Sequence, residues 1–512
     1  MKSSREPSAP AGNGASVERA GAPLPSEETT GTTPRRRVSG TRRRLRHPAE
    51  LPHPPRLPGL GNVHQISLHR LHQNLEDWAH EYGCPYQVHL GPRRFVVFDD
   101  PEVTATVLRN RPDGFQRYEL IEPIMREMRI AGVFAAEGDE WRAQRRLAMA
   151  ALSHRNLAAF FGTLHTVSER LLRRWQRAAD DDMVLDVQKE LMSFTVDVTS
   201  SLAFARDSNT LERHDDSIQR HLQQIFGVLT QRLSALVPYW RVLRLPSDRA
   251  MDRAQAELSE WLGQVILEAR QRLQREPERK LRPQNLLEAM LVTRDERGEP
   301  FDETMIRGNM MTMLLAGEDT TANTIAWVIH ELLETRKVTQ RLQDEVDRVL
   351  GSDAIPPDPS AAAELEYAEA VANEALRLRP VVPFASLTAA ADTVLQDVVI
   401  PRGTHVALLL RATGKNPDFV PEPTRFYPER WLDPEAVASL QRRSIHVPFG
   451  SGPRICPGRS LALLEIRMVL GLLYKNFVVE RVGRASDVKE HMAFIMGPQN
   501  LRIRLRRREQ RP

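Results

Sequence analysis

The ten residues Phe449-Gly450-Ser451-Gly452-Pro453-Arg454-Ile455-Cys456-Pro457-Gly458 constrain this chain more than any other stretch. Three glycines and two prolines within ten positions exclude a regular helix or strand and force a tight, non-repeating loop. Directly after it, Leu461, Leu464 and Met468 begin an apolar stripe at helical spacing. The loop therefore delivers a thiol to a helix N-terminus, where the dipole and free backbone N–H groups favour thiolate over thiol. A thiolate held this way is either a nucleophile or a metal ligand. A cysteine without such flanks is more often a small buried hydrophobe.

Composition removes several alternatives. Cys84 is the only other cysteine in 512 residues, so a disulfide framework and a Cys-only zinc or iron–sulfur site are excluded within one chain. Residues 1–50 carry ten Lys or Arg against five Glu, a net charge of +5. The whole chain is +4, which leaves −1 for the other 462 residues. A near-neutral body with a basic tail is not a nucleic-acid-binding domain. The tail, 1–50, is poor in large apolar residues and is expected to be disordered, with 51–512 as one catalytic domain. No run of 18 apolar residues spans a membrane and no apolar signal core opens the chain. Glu6, Glu18, Glu27 and Glu28 argue against an organelle transit peptide, so a cytoplasmic protein is expected.

Periodicity predicts mainly α structure with a minor β part. Strands are expected at Tyr86–Leu90 and Phe95–Phe98 around the Gly91-Pro92 turn, and strand-like pieces at Thr393–Ile400 and His405–Leu410. Helices dominate from Gly138 to about residue 350, followed by a helix over 361–379. A Pro-rich stretch covers 417–436, a last helix runs from near Cys456 to Asn476, and Val478–Leu505 has β character.

Three further segments carry chemistry. Ala316-Gly317-Glu318-Asp319-Thr320-Thr321 lies inside an apolar helix from about Met305 to Glu334. Glycine and consecutive threonines weaken a helix interior, and the Thr320 hydroxyl can bond back to the Ala316 carbonyl. A local opening of the helix is expected there; taken alone, the segment is equally a small-residue helix contact. Glu374 and Arg377 are spaced i, i+3 on one helix face, which alone describes a surface ion pair. Trp141 and Arg145 are spaced i, i+4 on the helix opened by Gly138, which alone describes an amphipathic helix with a core tryptophan.

Together these segments resemble the cytochrome P450 family over about 51–505. The loop fits Phe-x-x-Gly-x-Arg-x-Cys-x-Gly at all five fixed positions. Ala316–Thr321 is similar to the family's oxygen-activation motif, Glu374–Arg377 with Phe426-Tyr427-Pro428-Glu429-Arg430-Trp431 to its Glu-x-x-Arg helix and meander, and Trp141–Arg145 to its Trp-x-x-x-Arg pair. The resemblance implies a mainly α P450 fold with haem b between the oxygen-activation helix and the Cys-loop helix. It implies Cys456 as the iron ligand, in a loop shaped by Gly450 and Gly458, with Phe449 packed near the sulfur. Arg454, Trp141 and Arg145 would hold haem propionates. Thr320 would hydrogen-bond the iron-bound dioxygen, Asp319 would relay protons, and Gly317 and Ala316 would leave space above the iron. Glu374, Arg377 and Arg430 would form a buried structural charge cluster. Arg142 and Arg146 point away from the propionate pair and are candidates for docking an acidic redox partner.

The family often carries an arginine for the other propionate in the strand after Pro380; here that place falls on Leu387. Gly414-Lys415-Asn416 likewise replaces a common His/Asn-Arg-Asp. An apolar small-molecule substrate is expected in a pocket lined by Ile130–Phe134 (notably Val133 and Phe134), Met313, Val381–Ala385 (notably Val382 and Phe384) and Phe494–Met496 (notably Ile495). With 56 residues after Cys456, electrons are expected from a separate ferredoxin or flavodoxin and an NAD(P)H-dependent reductase, serving a monomeric monooxygenase. Two other classes stay open. One is a haem-thiolate isomerase or dehydratase, against which Asp319–Thr320 argues. The other is a non-catalytic haem-binding or sensing protein.

Overall fold

The computed structural model describes residues 44–213 and 217–509. The compact unit begins at Leu45. The basic tail before it lies outside the described residues, but the expected boundary at residue 50 shifts. The Arg46 N–H donates to the Asp397 carbonyl at 2.7 Å, the Val399 N–H donates to the Arg46 carbonyl at 3.0 Å, and the Arg46 guanidinium pairs with the Asp397 carboxylate at 2.8 Å. Backbone pairing and one ion pair, rather than apolar burial, tie 45–50 to the body.

Helices make up most of the unit, as expected. Glu303–Glu334 is the central one: 20 of its 32 residues are buried, including the whole run Thr321–His330, as a helix apolar on all sides requires. Val187–Phe204 packs along it, and Arg459–Asn476 and Glu366–Leu378 pack on it and on each other. Asp302 accepts from the Thr304 N–H and caps the central helix. Among the described residues no helix is long and apolar enough to cross a membrane.

The main sheet has β1 (Tyr86–Leu90), β2 (Arg93–Phe98), β3 (Phe115–Arg117), β4 (Ala385–Ala389) and β5 (His405–Leu408), in the order β1-β2-β5-β4-β3. Only the β2–β5 pair is parallel. Phe115, Leu387, Val406 and Leu408 form part of its buried core. The strand-like piece Thr393–Ile400 is a hairpin, Thr393–Leu395 against Val398–Ile400, because Gln396 takes a left-handed φ of 54°. The β character after 478 resolves into Phe477–Val482, Lys489–Met492, Met496–Gln499 and Arg502–Arg507. The Lys489–Gln499 hairpin carries Phe494 and Ile495 at its tip.

Candidate active site

The Cys loop closes through glycine. Gly450 and Gly452 have φ of 74° and 69°, and a Cβ on Gly452 would lie 2.6 Å from the Leu108 carbonyl oxygen. The Cys456 N–H donates to the Phe449 carbonyl at 2.8 Å. The sulfur accepts from the N–H groups of Gly458 and Arg459, at the start of Arg459–Asn476. Burial nevertheless pushes the thiol above its ordinary range; those N–H groups and Arg145 only oppose it. The helix start thus favours the thiolate, as expected, while burial opposes it. Cys456 is also accessible. Because burial dominates an accessible sulfur, that sulfur opens onto an enclosed space rather than bulk water.

The central helix runs unbroken through Ala316–Thr321, so the expected opening of its backbone is absent. The Thr320 hydroxyl does donate to the Ala316 carbonyl, at 2.7 Å, and the helix absorbs this back-bond without losing its ladder. Room comes from small side chains instead. Ala316 is exposed between the buried Leu315 and Glu318; Gly317 departs from its expected role of leaving space above the iron, because a Cβ there would meet Thr199 Oγ1 at 2.9 Å and the glycine serves the close approach of Val187–Phe204 instead. Burial raises Asp319 to about 6. Two carboxyls that sequence reasoning missed flank it. Glu318 is buried with both oxygens unpartnered among the described residues, and burial, with the Asp319 charge beside it, pushes it well above the ordinary carboxyl range. Glu465, on Arg459–Asn476, is raised to about 8 by burial and hydrogen-bonds Thr321. Nothing in their local sequence marks them as buried; only the helix packing does.

Arginines gather on one side of this space. Arg454 donates to the Ala136 carbonyl at 2.8 Å, pairs with Glu137, and stacks 4.5 Å from the Trp141 ring centre. Its Nε and Nη1 have no partner. Trp141 is buried and Arg145, one turn on, is half-buried close enough to Cys456 to feel its charge. The structure thus brings Trp141, Arg145, Arg454 and Cys456 together. Arg142 and Arg146 are exposed, but Arg142 already pairs with Asp139 and Asp113, and Arg146 with Glu296. Neither is a free cation for an acidic partner.

Glu374, Arg377 and Arg430 form the expected buried cluster. Arg377 is bidentate on Glu374 at 2.8 and 3.0 Å, and Arg430 Nε donates to the same carboxylate at 3.0 Å. Trp431 Nε1 and the Tyr427 N–H complete it, each at 2.9 Å. Arg377 also donates to the carbonyls of Gly414, Pro423 and Arg425. Gly414, one of the departures from the family pattern, therefore sits against the cluster: a Cβ there would lie 3.2 Å from the Arg377 side chain.

Val133 packs with Trp141, Ala148 and Met313, and Asn309 Oδ1 accepts from its N–H at 3.2 Å. Phe494 lies 5.9 Å from both Phe134 and Phe226. Phe134, Phe226 and Phe494 thus meet in one apolar cluster, the roof, to which Phe226 is an addition. Ile495 is buried, and Phe384 bridges the sheet core to Trp327, Val381 and Met496. Val382 departs: it faces a recess shared with Pro380, His446 and Pro448 behind the loop. A larger cavity of about 570 Å³, lined by Glu369, Trp431, His446, Phe449 and Arg459, also lies behind the loop and includes neither Cys456 nor Ala316. It is not the space the thiol faces.

These residues fit haem: one deep thiolate ligand, an apolar roof, and buried guanidinium groups left for an anion. Among the described residues no three His, Cys, Asp or Glu converge to hold a metal, so a lone thiolate suits a cofactor that brings its own ligands. The chain belongs to the cytochrome P450 family, whose model matches residues 51–505. It is 30% identical to the mitochondrial 25-hydroxyvitamin D-1 alpha hydroxylase of Homo sapiens over 456 residues, 84% of this chain and 87% of that protein. It is 28% identical to the chloroplastic cytochrome P450 97B2 of Glycine max over 479 residues, 84% and 81% of the two chains. The haem domain of cytochrome P450DA superposes with a TM-score of 0.80 at 25% identity, covering 91% of this chain and 99% of that one. The protein is thus a haem-thiolate monooxygenase, an oxidoreductase with haem b that uses O2, redox partners and a small-molecule substrate.

Proposed function

We propose that this enzyme inserts one oxygen atom from O2 into an apolar small molecule, with electrons from a separate ferredoxin or flavodoxin and an NAD(P)H-dependent reductase. The observation that carries it is the accessible Cys456 thiol at the start of Arg459–Asn476, a helix packed on the central helix that carries Ala316 and Thr320. Bound haem would supply dioxygen activation; Cys456 would hold its iron through the thiolate, and Phe449 would limit hydrogen bonds to the sulfur. Trp141, Arg145 and Arg454 would hold propionate oxygens.

The chain's own residues supply protons and exclude water. Asp319, raised to about 6, gains and loses a proton near neutrality, as a relay needs. Thr320 parks its hydroxyl proton on the Ala316 carbonyl and can turn it toward the open side of the helix. The roof of Phe134, Phe226 and Phe494 offers a substrate no side-chain hydrogen-bonding group, which favours an apolar one. A monomer in the cytoplasm is our reading of the cellular form, resting on the acidic residues that interrupt the N-terminal segment.

The test is product formation that requires both NAD(P)H and O2, using surrogate redox partners and a panel of lipids, terpenoids and polyketides. Hits are chosen first by displacement of the iron's water ligand in the absorption spectrum. Oxygen-18 from O2 in the product supports the proposal. Turnover that proceeds without O2 would assign an isomerase or dehydratase, and binding without turnover across the panel a sensing role.

A further inference from the structure

The hairpin of Lys489–Met492 and Met496–Gln499 pairs with no other strand among the described residues. A two-stranded hairpin on its own is marginal in water, so side chains must set where this one lies. Its position matters to the site. The Ala493 N–H donates to the Ile495 carbonyl at 3.0 Å, and the turn so closed holds Phe494 against Phe134 and Phe226 in the roof. The second strand lies on the central helix: Trp327 Nε1 donates to the Met496 carbonyl at 3.4 Å, and a Cβ on Gly497 would lie 2.0 Å from Asn323 Oδ1.

The first strand has a different anchor, Glu490, whose side chain is 9% exposed. Its carboxylate accepts from four side chains. His72 Nε2 donates at 2.9 Å and Gln73 Nε2 at 2.8 Å, both from the helix Leu71–Tyr82. Arg411 Nη1 donates to the same oxygen at 2.8 Å, and Arg379 pairs with the other. Burial opposes the charge, but His72, Arg411 and Gln73 outweigh it and hold Glu490 well below the usual carboxylate range. Each arginine also holds a second acid. Arg411 is bidentate on Glu76 of Leu71–Tyr82, and Arg379 pairs with Glu331 on the central helix. Glu490 thus ties the hairpin to two helices at once. Phe494 lies four residues further on, at most about 13 Å along the chain, so a tilt of about 10° at Glu490 would move its ring by about 2 Å.

We propose that Glu490 is a positioning residue for the substrate: by pinning the hairpin at its base it fixes the height of Phe494, and so sets the size and shape of the molecule that fits beneath the roof. The inference rests on the reading of that roof as the apolar wall of the substrate site.

The probes are imidazole and 4-phenylimidazole, which share an iron-binding nitrogen and differ by a ring that must fit under the roof. Both are titrated into the ferric holoenzyme by absorption, and the quantity read is the ratio of their dissociation constants. Lost folding stability alone leaves that ratio where it is, because iron coordination is common to both probes. Glu490→Gln offers one accepting oxygen where four donors converge, while each arginine keeps its other carboxylate. The parent's preference for the phenyl compound should fall about threefold to tenfold, the value of one ring contact. Phe494→Ala should lower it at least as much, and adding Glu490→Gln to Phe494→Ala should change it no further, since Glu490 acts through that ring. His72→Leu removes one of the donors and should move the ratio the same way by less; it decides the matter if Glu490→Gln fails to load haem. A parent-like ratio in haem-loaded Glu490→Gln or, failing that, in His72→Leu overturns the inference, as do effects of Glu490→Gln and Phe494→Ala that add. A parent that binds the two probes equally would instead overturn the reading of the roof.

Discussion

Glu465 gives the sharpest test of how the two helices flanking the site are joined. Its carboxyl is buried between Arg459–Asn476 and the central helix, and it hydrogen-bonds Thr321, next to Thr320. Burial raises it from 4.5 to about 8, so it is protonated in the folded protein at neutral pH. Between those two values the unfolded chain has released this proton and the folded chain still holds it. Folding then takes up a proton, and stability falls as pH rises through the window. The cost is about 1.4 kcal/mol per pH unit above the unfolded value: about 1 kcal/mol near pH 5, about 3 near pH 7, and somewhat over 4 near pH 8.5. Glu465→Gln keeps the shape and a hydrogen bond to Thr321 but has no proton to take up. The variant should match the parent below about pH 4, exceed it by about 1 kcal/mol near pH 5 and by about 3 kcal/mol near pH 7. Urea midpoints of the haem-loaded proteins at three pH values measure the difference. A gain that is the same at every pH, or no gain near pH 8, would refute the claim that Glu465 is buried in its acid form.

Cys456→His should abolish the red-shifted band of the reduced carbon monoxide complex whether or not haem is retained; a variant that keeps the band removes Cys456 as the ligand. Thr320→Ala should bind haem and substrate but divert electrons from NAD(P)H to peroxide. Unchanged coupling of electrons to product rejects the hydroxyl's role. Arg377→Met takes the bidentate partner from the buried Glu374, leaving it Arg430, Trp431 and the Tyr427 N–H, and removes the donor from three carbonyls, so it should cost about 3–5 kcal/mol of stability, seen as a lower denaturant midpoint. Parent-like stability there would mean that the cluster does not brace the loop.

What the sequence made legible was local. The Cys loop, the Thr320 segment, the Glu374–Arg377 pair and the Trp141–Arg145 pair each fit within ten residues, and each carries its own geometry in glycine, proline or helical spacing. The structure places them as expected, with Arg430 arriving on Glu374 from 56 residues away. The error came where spacing was read as backbone geometry, and burial was the part of the thiol's surroundings that spacing did not carry. The central helix keeps its ladder through Gly317 because Leu314, Leu315 and Ala322 are buried on its other sides, and tertiary packing outweighs weak local propensity. The Cys456 thiol is raised because desolvation at that depth exceeds what two N–H groups return.

The residues missed altogether share one property: their roles exist only through register or depth. Glu318 and Glu465 read as ordinary helix-surface acids until packing covers them. Arg117 lies in a three-residue strand with no periodic signal, 270 positions from Leu387, and the link between them is one row of the β3–β4 pairing. Because the pleat repeats every two residues, a one-residue slip would turn Arg117 to the other face, away from Arg111 and Arg454, whose charges it feels. The placement of that charge therefore depends on a strand register that Phe115, opposite Ala389 and packed in the same core, holds in place. Apolar packing of the sheet and the placement of buried charge are, at this edge, a single constraint.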